Sequence, residues 1–142
     1  MKAVSRLAIA VILGFAGLLA TSCSSDRKTV HPARGKVVDA AGKPVAGATL
    51  IFHPLDDKDD ARHKPAATTD AEGNYALTTY VQDDGAPAGD YAVTVEWRPI
   101  PKSPMEPEQP DRLKGRFRDP KSSPFKATIK QGTNELRPIQ LP

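Results

Sequence analysis

Residues 89–98 alternate between two kinds of side chain along their whole length. One set of positions is aromatic or branched: Tyr91, Val93, Val95 and Trp97. The positions between them are mostly polar: Ala92, Thr94, Glu96 and Arg98. A repeat of two residues places each set on one face of a β-strand, so we expect the first face to meet a core. No segment after Ser22 keeps a helical period over three turns, and the sequence therefore predicts an all-β fold.

Short β-type segments, separated by turn residues, fill the chain from Ala33 onward. The seven predicted strands span residues 34–39, 48–53, 66–69, 74–80, 89–98, 125–130 and 135–141. Short strands at this spacing are typical of an antiparallel β-sandwich. The 14 prolines and 10 glycines suit a fold with many turns.

Two of the turns have an identifiable chemistry. Gly42 can adopt a positive φ, and Pro44 cannot donate to a strand ladder. Asp70 can accept main-chain N–H groups that follow it, and Gly73 tolerates the left-handed conformation. The predicted structural turn positions are Gly35, Gly42, Pro44, Gly47, Asp70 and Gly73.

The first 22 residues have the pattern of a bacterial signal peptide. Lys2 and Arg6 precede an unbroken apolar run over residues 7–20. Fourteen helical residues span about 21 Å, which is short of the roughly 30 Å of a bilayer core. The run has the length of a signal-peptide helix, and small residues follow it up to Ser22. An ordinary signal peptide cleaved after Ser22 is one interpretation of this pattern.

Cys23 is the only cysteine, so no disulfide can hold the mature domain. Residues 19–23, Leu-Ala-Thr-Ser-Cys, resemble a bacterial lipobox, although Ala20 stands where leucine is favoured. The resemblance implies cleavage before Cys23 and lipidation of its sulfur and its new amino group. We expect a signal peptide at 1–22, a lipidated tether at 23–32 and one domain at 33–142. Ser24 in place of an acidic residue favours the outer membrane or its periplasmic face.

Three motifs resemble carboxypeptidase-regulatory-like domains. They are residues 35–48 (Gly-Lys-Val-Val-Asp-Ala-Ala-Gly-Lys-Pro-Val-Ala-Gly-Ala), residues 69–75 (Thr-Asp-Ala-Glu-Gly-Asn-Tyr) and residues 89–95 (Gly-Asp-Tyr-Ala-Val-Thr-Val). Their order is also that of the family, and residues 117–141 are similar to the end of small lipoproteins that have this domain. The resemblance implies a transthyretin-like (prealbumin-like) Greek-key β-sandwich, and it is to the non-catalytic regulatory domain of carboxypeptidases only.

Residues 99–124 contain seven prolines and no alternation, which predicts an extended loop over the surface. Residues 98–130 hold nine Lys or Arg and four Asp or Glu. This excess indicates either a basic patch facing anionic lipid or polysaccharide, or a solvated loop, and we favour the loop. Lys2 and Arg6 account for two of the three net positive charges, so the mature chain carries +1 and is not expected to bind nucleic acid.

The sequence offers no catalytic constellation and no cofactor motif. The histidines, His31, His53 and His63, lack the spacing of zinc ligands. Weak calcium candidates occur between the last two: Asp56, Asp57, Asp59 and Asp60. Lys58 sits among them and the glycine of an EF-hand loop is missing, so a solvated acidic loop is the simpler interpretation.

Two further residue sets have a structural and a functional interpretation. Trp97 fits the core better than a sugar-binding platform, because it shares the face of Val93 and Val95. The set of Lys36, Asn134 and Glu96 has the residue types of an isopeptide bond, an interpretation that we regard as remote.

We therefore expect a non-enzymatic, membrane-anchored envelope lipoprotein that binds an envelope protein or a glycan, with residues 99–124 as the contact surface. The alternatives are a metal-dependent binder or enzyme using residues 53–63, and a structural subunit of a larger assembly.

Overall fold

The computed structural model describes residues 27–56 and 63–142, which form ten β-strands and no helix. The strands are β1 (Val30–His31), β2 (Ala33–Val38), β3 (Ala48–Pro54), β4 (Ala66–Thr68), β5 (Asn74–Ala76), β6 (Ala86–Pro87), β7 (Gly89–Trp97), β8 (Lys126–Ile129), β9 (Asn134–Glu135) and β10 (Ile139–Gln140). The predicted signal peptide, Cys23 and three calcium candidates (Asp57, Asp59 and Asp60) lie outside these residues. Within them, no helix is long and apolar enough to cross a membrane.

One of the two four-stranded sheets has the strand order β4-β3-β7-β8 and is antiparallel throughout. Its longest pairing joins β3 to β7, from Ala48 opposite Trp97 to Pro54 opposite Tyr91. The alternation predicted for residues 89–98 is confirmed on the inner face, where Val93 and Val95 are buried.

The outer face of β7 differs from the expectation of a solvated surface. Ala92 and Thr94 are buried there, although they alternate with the core residues. Both side chains are small, and the His53 ring of the neighbouring strand lies over this face with Nε2 2.9 Å from the Thr94 hydroxyl. The His53 ring therefore helps to shield Ala92 and Thr94, which the alternation alone assigned to solvent.

The other four-stranded sheet is built on β2, which pairs with β5 on one side and with β9 and β10 on the other. The prediction of a wholly antiparallel fold is wrong here, because β9 and β10 run parallel to β2. The turn after β8 brings the chain beside the start of β2, where the Asn134 N–H donates to the Pro32 carbonyl (2.8 Å). The chain then runs on in the direction of β2.

Several predicted strands are shorter than expected. The segment 135–141 is divided into β9 and β10, which are separated by residues 136–138, and Pro138 has no N–H to donate. The segment 74–80 ends as a strand at Ala76, because the Asp84 carboxylate takes the N–H groups of Thr79, Tyr80 and Val81. Part of the expected tether, Val30–His31, is instead β1 and pairs with β6.

The two larger sheets share one core, which gives the all-β fold a sandwich-like arrangement. Phe52 of β3 lies at its centre, with ring centroids 6.4 Å from Tyr75 of β5 and 6.0 Å from Tyr91 of β7. Further buried side chains come from both sheets: Val37, Leu50, Leu77, Val93, Val95, Ile129 and Leu141. Burying each such side chain stabilises the fold by about 1.5–3 kcal/mol.

The turns at Asp39 and Asp70 have the same construction. Each carboxylate accepts the N–H groups two and four residues ahead, at 2.8 to 3.0 Å. The third residue after each aspartate is a glycine with positive φ, 77° at Gly42 and 76° at Gly73. Pro44 forms an isolated bridge with Val38, and the Gly47 N–H donates to the Thr69 carbonyl.

Gly35 is not a turn residue, which corrects its predicted role. It lies inside β2 opposite Tyr75 of β5. A Cβ atom at this position would come within 2.5 Å of Cζ of the Tyr75 ring. The glycine therefore provides the space in which the Tyr75 ring lies flat over the strand.

Replacing Gly35 with alanine tests this close approach. We expect Gly35→Ala to lower the free energy of unfolding by about 1–3 kcal/mol, because the Tyr75 ring has no room to move in a packed core. Urea unfolding followed by fluorescence measures the loss. In a Tyr75→Leu background, Gly35→Ala should lower the free energy of unfolding by clearly less. An equal cost in both backgrounds would show that the ring is not what the glycine accommodates.

Candidate functional site

An open groove of about 480 Å³ lies between β4 and β5, the edge strands of the two larger sheets. Its polar lining includes Arg34, Thr68, Asp70, Asn74, Tyr75, Thr78, Gln82 and Asp83. The groove is large enough for a few residues of peptide or a small sugar. It is the candidate binding site of the described chain, at a place that the sequence did not indicate.

The groove exists because two edge strands meet at one point and then diverge. Ala66 and Thr78 exchange two main-chain hydrogen bonds of 2.9 Å. One ladder step further, Thr68 of β4 and Ala76 of β5 form no such bridge. Antiparallel ladders direct every second residue's N–H and C=O away from the paired strand. The main-chain groups of Thr68 and Ala76 therefore point away from β3 and β2, toward the groove.

The side chains that line the groove can bind a ligand by hydrogen bonds and by charge. Tyr75 lines it but is only 4% exposed, and burial raises the pKa of its phenol well above the ordinary value. One Asp70 oxygen accepts the N–H groups of Glu72 and Asn74. Arg34 and Asp83 present charges of both signs to a ligand.

The three histidines have separate partners in the structure. Burial and, less strongly, the charge of Lys64 lower the pKa of His53, which favours a neutral ring beside Thr94. The His63 ring stacks edge-on against Tyr80 with centroids 5.5 Å apart, and His31 Nδ1 accepts the Gly132 N–H. Among residues 27–56 and 63–142, no three His, Cys, Asp or Glu side chains form a metal-binding group.

The acidic candidates between the histidines fall mostly outside the described residues. Asp56 is exposed at the end of the described part, and Asp57, Asp59 and Asp60 lie in the segment 57–62. Calcium binding there stays a prediction.

The structure does not bring together the three residues considered for an isopeptide bond. Lys36 is exposed on β2, whereas Glu96 is on β7 in the other sheet. The Asn134 amide group donates to the carbonyls of Lys130 and Gly132, so it stabilises the turn before β9.

The proline-rich segment 99–124 is not a loop lying only on the surface, which corrects the expectation. No strand forms between Trp97 and Lys126, but Leu113 and Phe117 are buried in the core. The Phe117 carbonyl accepts the Val95 N–H at 3.0 Å, so the segment covers the edge of β7 beyond β8.

Asp111 attaches this segment to the sheet. Its carboxylate accepts the N–H groups of Trp97 (2.9 Å), Leu113 (3.0 Å) and Gly115 (2.8 Å), and its side chain is only 5% exposed. Burial by itself raises the pKa of Asp111, but these N–H groups outweigh it and the net pKa is lowered. The sequence did not single out this residue.

A signal for Asp111 was nevertheless present in the sequence. Its bonds to the second and fourth residues ahead repeat the pattern of the turns at Asp39 and Asp70. The third residue ahead is Lys114, whose φ is also positive (51°), as it is at the glycines of the other two turns. Lysine in place of glycine concealed the repeat, because a side chain disfavours this conformation.

Arginines of the same region are used in internal contacts. Glu96 accepts from Arg98 (2.6 Å) and Arg118 (2.7 Å), which together lower the pKa of its carboxyl, Arg98 most strongly. The Arg112 guanidinium lies 4.9 Å from the Trp97 ring centre, and the indole N–H donates to the Ala46 carbonyl. Trp97 is therefore packed at the edge of the core and has one ring face covered, unlike an open sugar platform.

No family model and no curated protein matches the chain. Solved structures with similarity include a 9R-lipoxygenase from Cyanothece PCC8801, at 14% identity and a TM-score of 0.43 over 80% of this chain and 17% of that one. A DUF3823 family protein from Parabacteroides merdae has 12% identity and a TM-score of 0.39 over 78% of this chain and 46% of that one.

A third structure is the dioxygenase domain of a dioxygenase–carbohydrate-binding fusion from Streptomyces sp. SirexAA-E. It has 20% identity and a TM-score of 0.38 over 83% of this chain and 82% of that one. The chain thus spans less than half the length of the first two structures, and at these TM-scores none of the three likenesses bears on its activity.

The attachment by Asp111 predicts a pH-dependent stability. Because the pKa of Asp111 is lowered in the folded state, its ionised carboxylate contributes its full stabilisation above the unfolded-state pKa of about 3.9. This stabilisation is lost as pH falls through the folded-state pKa. At pH 7, Asp111→Asn should lower the free energy of unfolding by about 1–3 kcal/mol, since one buried acceptor becomes a donor. At an acidic pH below the folded-state pKa of Asp111, the difference from the unmodified protein should largely vanish.

Urea titrations at both pH values measure this difference, and Asp119→Asn is the matched control. Among the described residues, the Asp119 carboxylate accepts only the N–H of Lys121, within its own exposed turn. If Asp111→Asn lowered the free energy of unfolding no more than Asp119→Asn does at pH 7, Asp111 would not be the residue that attaches the segment to the sheet.

Proposed function

We propose that this protein is a non-enzymatic lipoprotein of the bacterial envelope, anchored through a lipid on Cys23, whose domain binds an extended segment of another envelope protein. The observation that supports the binding role is the groove between the two edge strands, with main-chain groups directed into it. The domain fold in this proposal is the transthyretin-like Greek-key sandwich of carboxypeptidase-regulatory-like domains.

The physical basis of the anchor is the burial of acyl chains. Each buried methylene contributes about 0.8 kcal/mol, and a single chain holds a protein only reversibly. Two or three chains on Cys23 would make the attachment effectively permanent. An anchor of this kind leaves the domain free to present its surfaces in the envelope.

An extended peptide suits the groove better than a compact ligand. Edge strands bind peptides by adding a strand, in which main-chain hydrogen bonds give affinity and side-chain contacts give specificity. The side chain of Ala76 is small and therefore leaves its main-chain groups accessible. Arg34 and Asp83 add charges of both signs, which would select the register of the bound segment.

Replacing Cys23 tests the anchor. We expect Cys23→Ala to move the protein from the membrane fraction to the soluble envelope fraction, because the thioether cannot form without the sulfur. Ser24→Ala, which leaves the thiol intact, is the control and should remain with the membranes. A Cys23→Ala protein that still sediments with membranes would disprove the anchor.

A photo-crosslinker in the groove tests the binding role. The residue p-benzoylphenylalanine at Gln82 should form a discrete protein adduct in living cells. Adding Ala76→Pro should abolish that adduct, since proline removes the N–H that faces the groove while fitting an edge strand. Ala40→Pro, in the exposed turn after Asp39, is the matched control and should leave the adduct unchanged.

Two outcomes would contradict a peptide partner. In one, the adduct persists in an Ala76→Pro protein that unfolds at the same temperature as its parent. In the other, no protein adduct forms and the purified domain binds soluble peptidoglycan fragments, which would identify a glycan ligand instead.

A further inference from the structure

The first described residues are fixed to one end of the domain. The Arg27 guanidinium lies 5.3 Å from the centre of the Tyr80 ring, and the Lys28 N–H donates to the Tyr80 hydroxyl at 3.0 Å. Val30 and His31 then pair with Pro87 and Ala86. Only Ser24, Ser25 and Asp26 therefore separate Cys23 from a residue that contacts the folded domain.

The strands define two opposite ends of the molecule. One end, here called the tether end, consists of Arg27, Lys28, the loop 78–85 and the turn 130–133. The start of β7 and the end of β8 also lie at the tether end, because Gly89 pairs with Ile129. The opposite end holds Trp97, Ala48 and the turn at Gly42, and the segment 99–110 begins there because Ile100 packs beside Gly47.

We infer that the tether end faces the membrane, with Val81 and Tyr80 at the lipid headgroups and residues 99–110 directed away from the bilayer. This inference rests on the proposed lipid on Cys23. From Cys23 to Arg27 the chain can span at most about 14 Å. Strand β7, with nine residues, is about 26 Å long from one end to the other. The tether is therefore too short for the inverted orientation, in which the opposite end would meet the bilayer and Arg27 would lie about 26 Å from it.

The side chains of the tether end suit a lipid surface. Val81 is 62% exposed in the loop 78–85, where its apolar side chain can enter the headgroup layer. Tyr80 has the amphipathic ring that is enriched at the level of headgroups, and Arg27 and Lys28 add cationic groups beside it. Acidic residues also lie at this end: Asp83, Asp90 at the start of β7 and Asp56 after β3 are exposed. The Asp84 carboxylate is engaged by the N–H groups of its own loop.

This orientation also determines how far the groove and the basic segment 98–130 lie from the bilayer. The groove runs from Gln82 and Asp83, near the bilayer, to the turn at Asp70 on the opposite side. The basic segment 98–130 begins at the end remote from the membrane. Anionic lipid of the anchoring membrane is therefore not the partner of residues 99–110.

A fluorescent probe at Val81 tests the inference on the full lipid-modified chain, extracted and placed in vesicles of equimolar phosphatidylethanolamine and phosphatidylglycerol. Val81→Cys labelled with an NBD group should show blue-shifted emission and strong quenching by nitroxide-labelled lipids. Met105→Cys, at a position that is 93% exposed in the segment 99–110, is the matched control. Its emission should match that of a probe in water.

The outcomes separate the two proposals. Protein that does not float with the vesicles would disprove the lipid anchor itself. Protein that floats with vesicles, but whose Val81 probe is quenched no more than the Met105 probe, would overturn the orientation and leave the anchor intact. A doubly substituted Arg27→Gln, Lys28→Gln chain should float equally and show weaker quenching at Val81, as expected if these cations hold the end against anionic headgroups.

Discussion

The pairing of β3 with β7 is the constraint on which the rest of the structure depends. Seven consecutive residue pairs fix which side chains face inward, and a slip by one residue would turn Leu50 and Phe52 outward. The same pairing places Pro54 and Tyr91 at the tether end and Trp97 at the other. Both the position of the groove and the attachment of the proline-rich segment follow from this register.

The chain holds its turns with carboxylates where a small secreted domain commonly uses disulfides. Asp39, Asp70 and Asp111 each accept N–H groups two and four residues ahead, and Asp84 gathers three N–H groups of the loop after β5. Hydrogen bonds to a charged acceptor stabilise more than neutral ones, about 1.5–3 kcal/mol each. The pKa values of Asp84 and Asp111 are lowered by these contacts, so their contribution to stability is lost in acid.

Local patterns predicted much of the sheet and little of the site. The alternation in residues 89–98 and the turns at Asp39 and Asp70 depend on neighbours in sequence, so the sequence displays them. The parallel pairing of β9 with β2 and the space that Gly35 leaves for Tyr75 join distant residues, for which no periodicity exists. The groove arises from two strands that diverge after one bridge, and the main-chain groups involved have no sequence signature.

Amide hydrogen exchange of the purified domain tests most directly whether Asp111 fixes the proline-rich segment to the sheet while the edge at β5 stays open. The amides of Leu113 and Gly115, held by Asp111, should exchange as slowly as those of Val93 and Val95 in the sheet. The Ala76 amide, directed into the groove, should exchange much faster than that of Tyr75 beside it. Fast exchange at Leu113 and Gly115, or slow exchange at Ala76, would contradict the account.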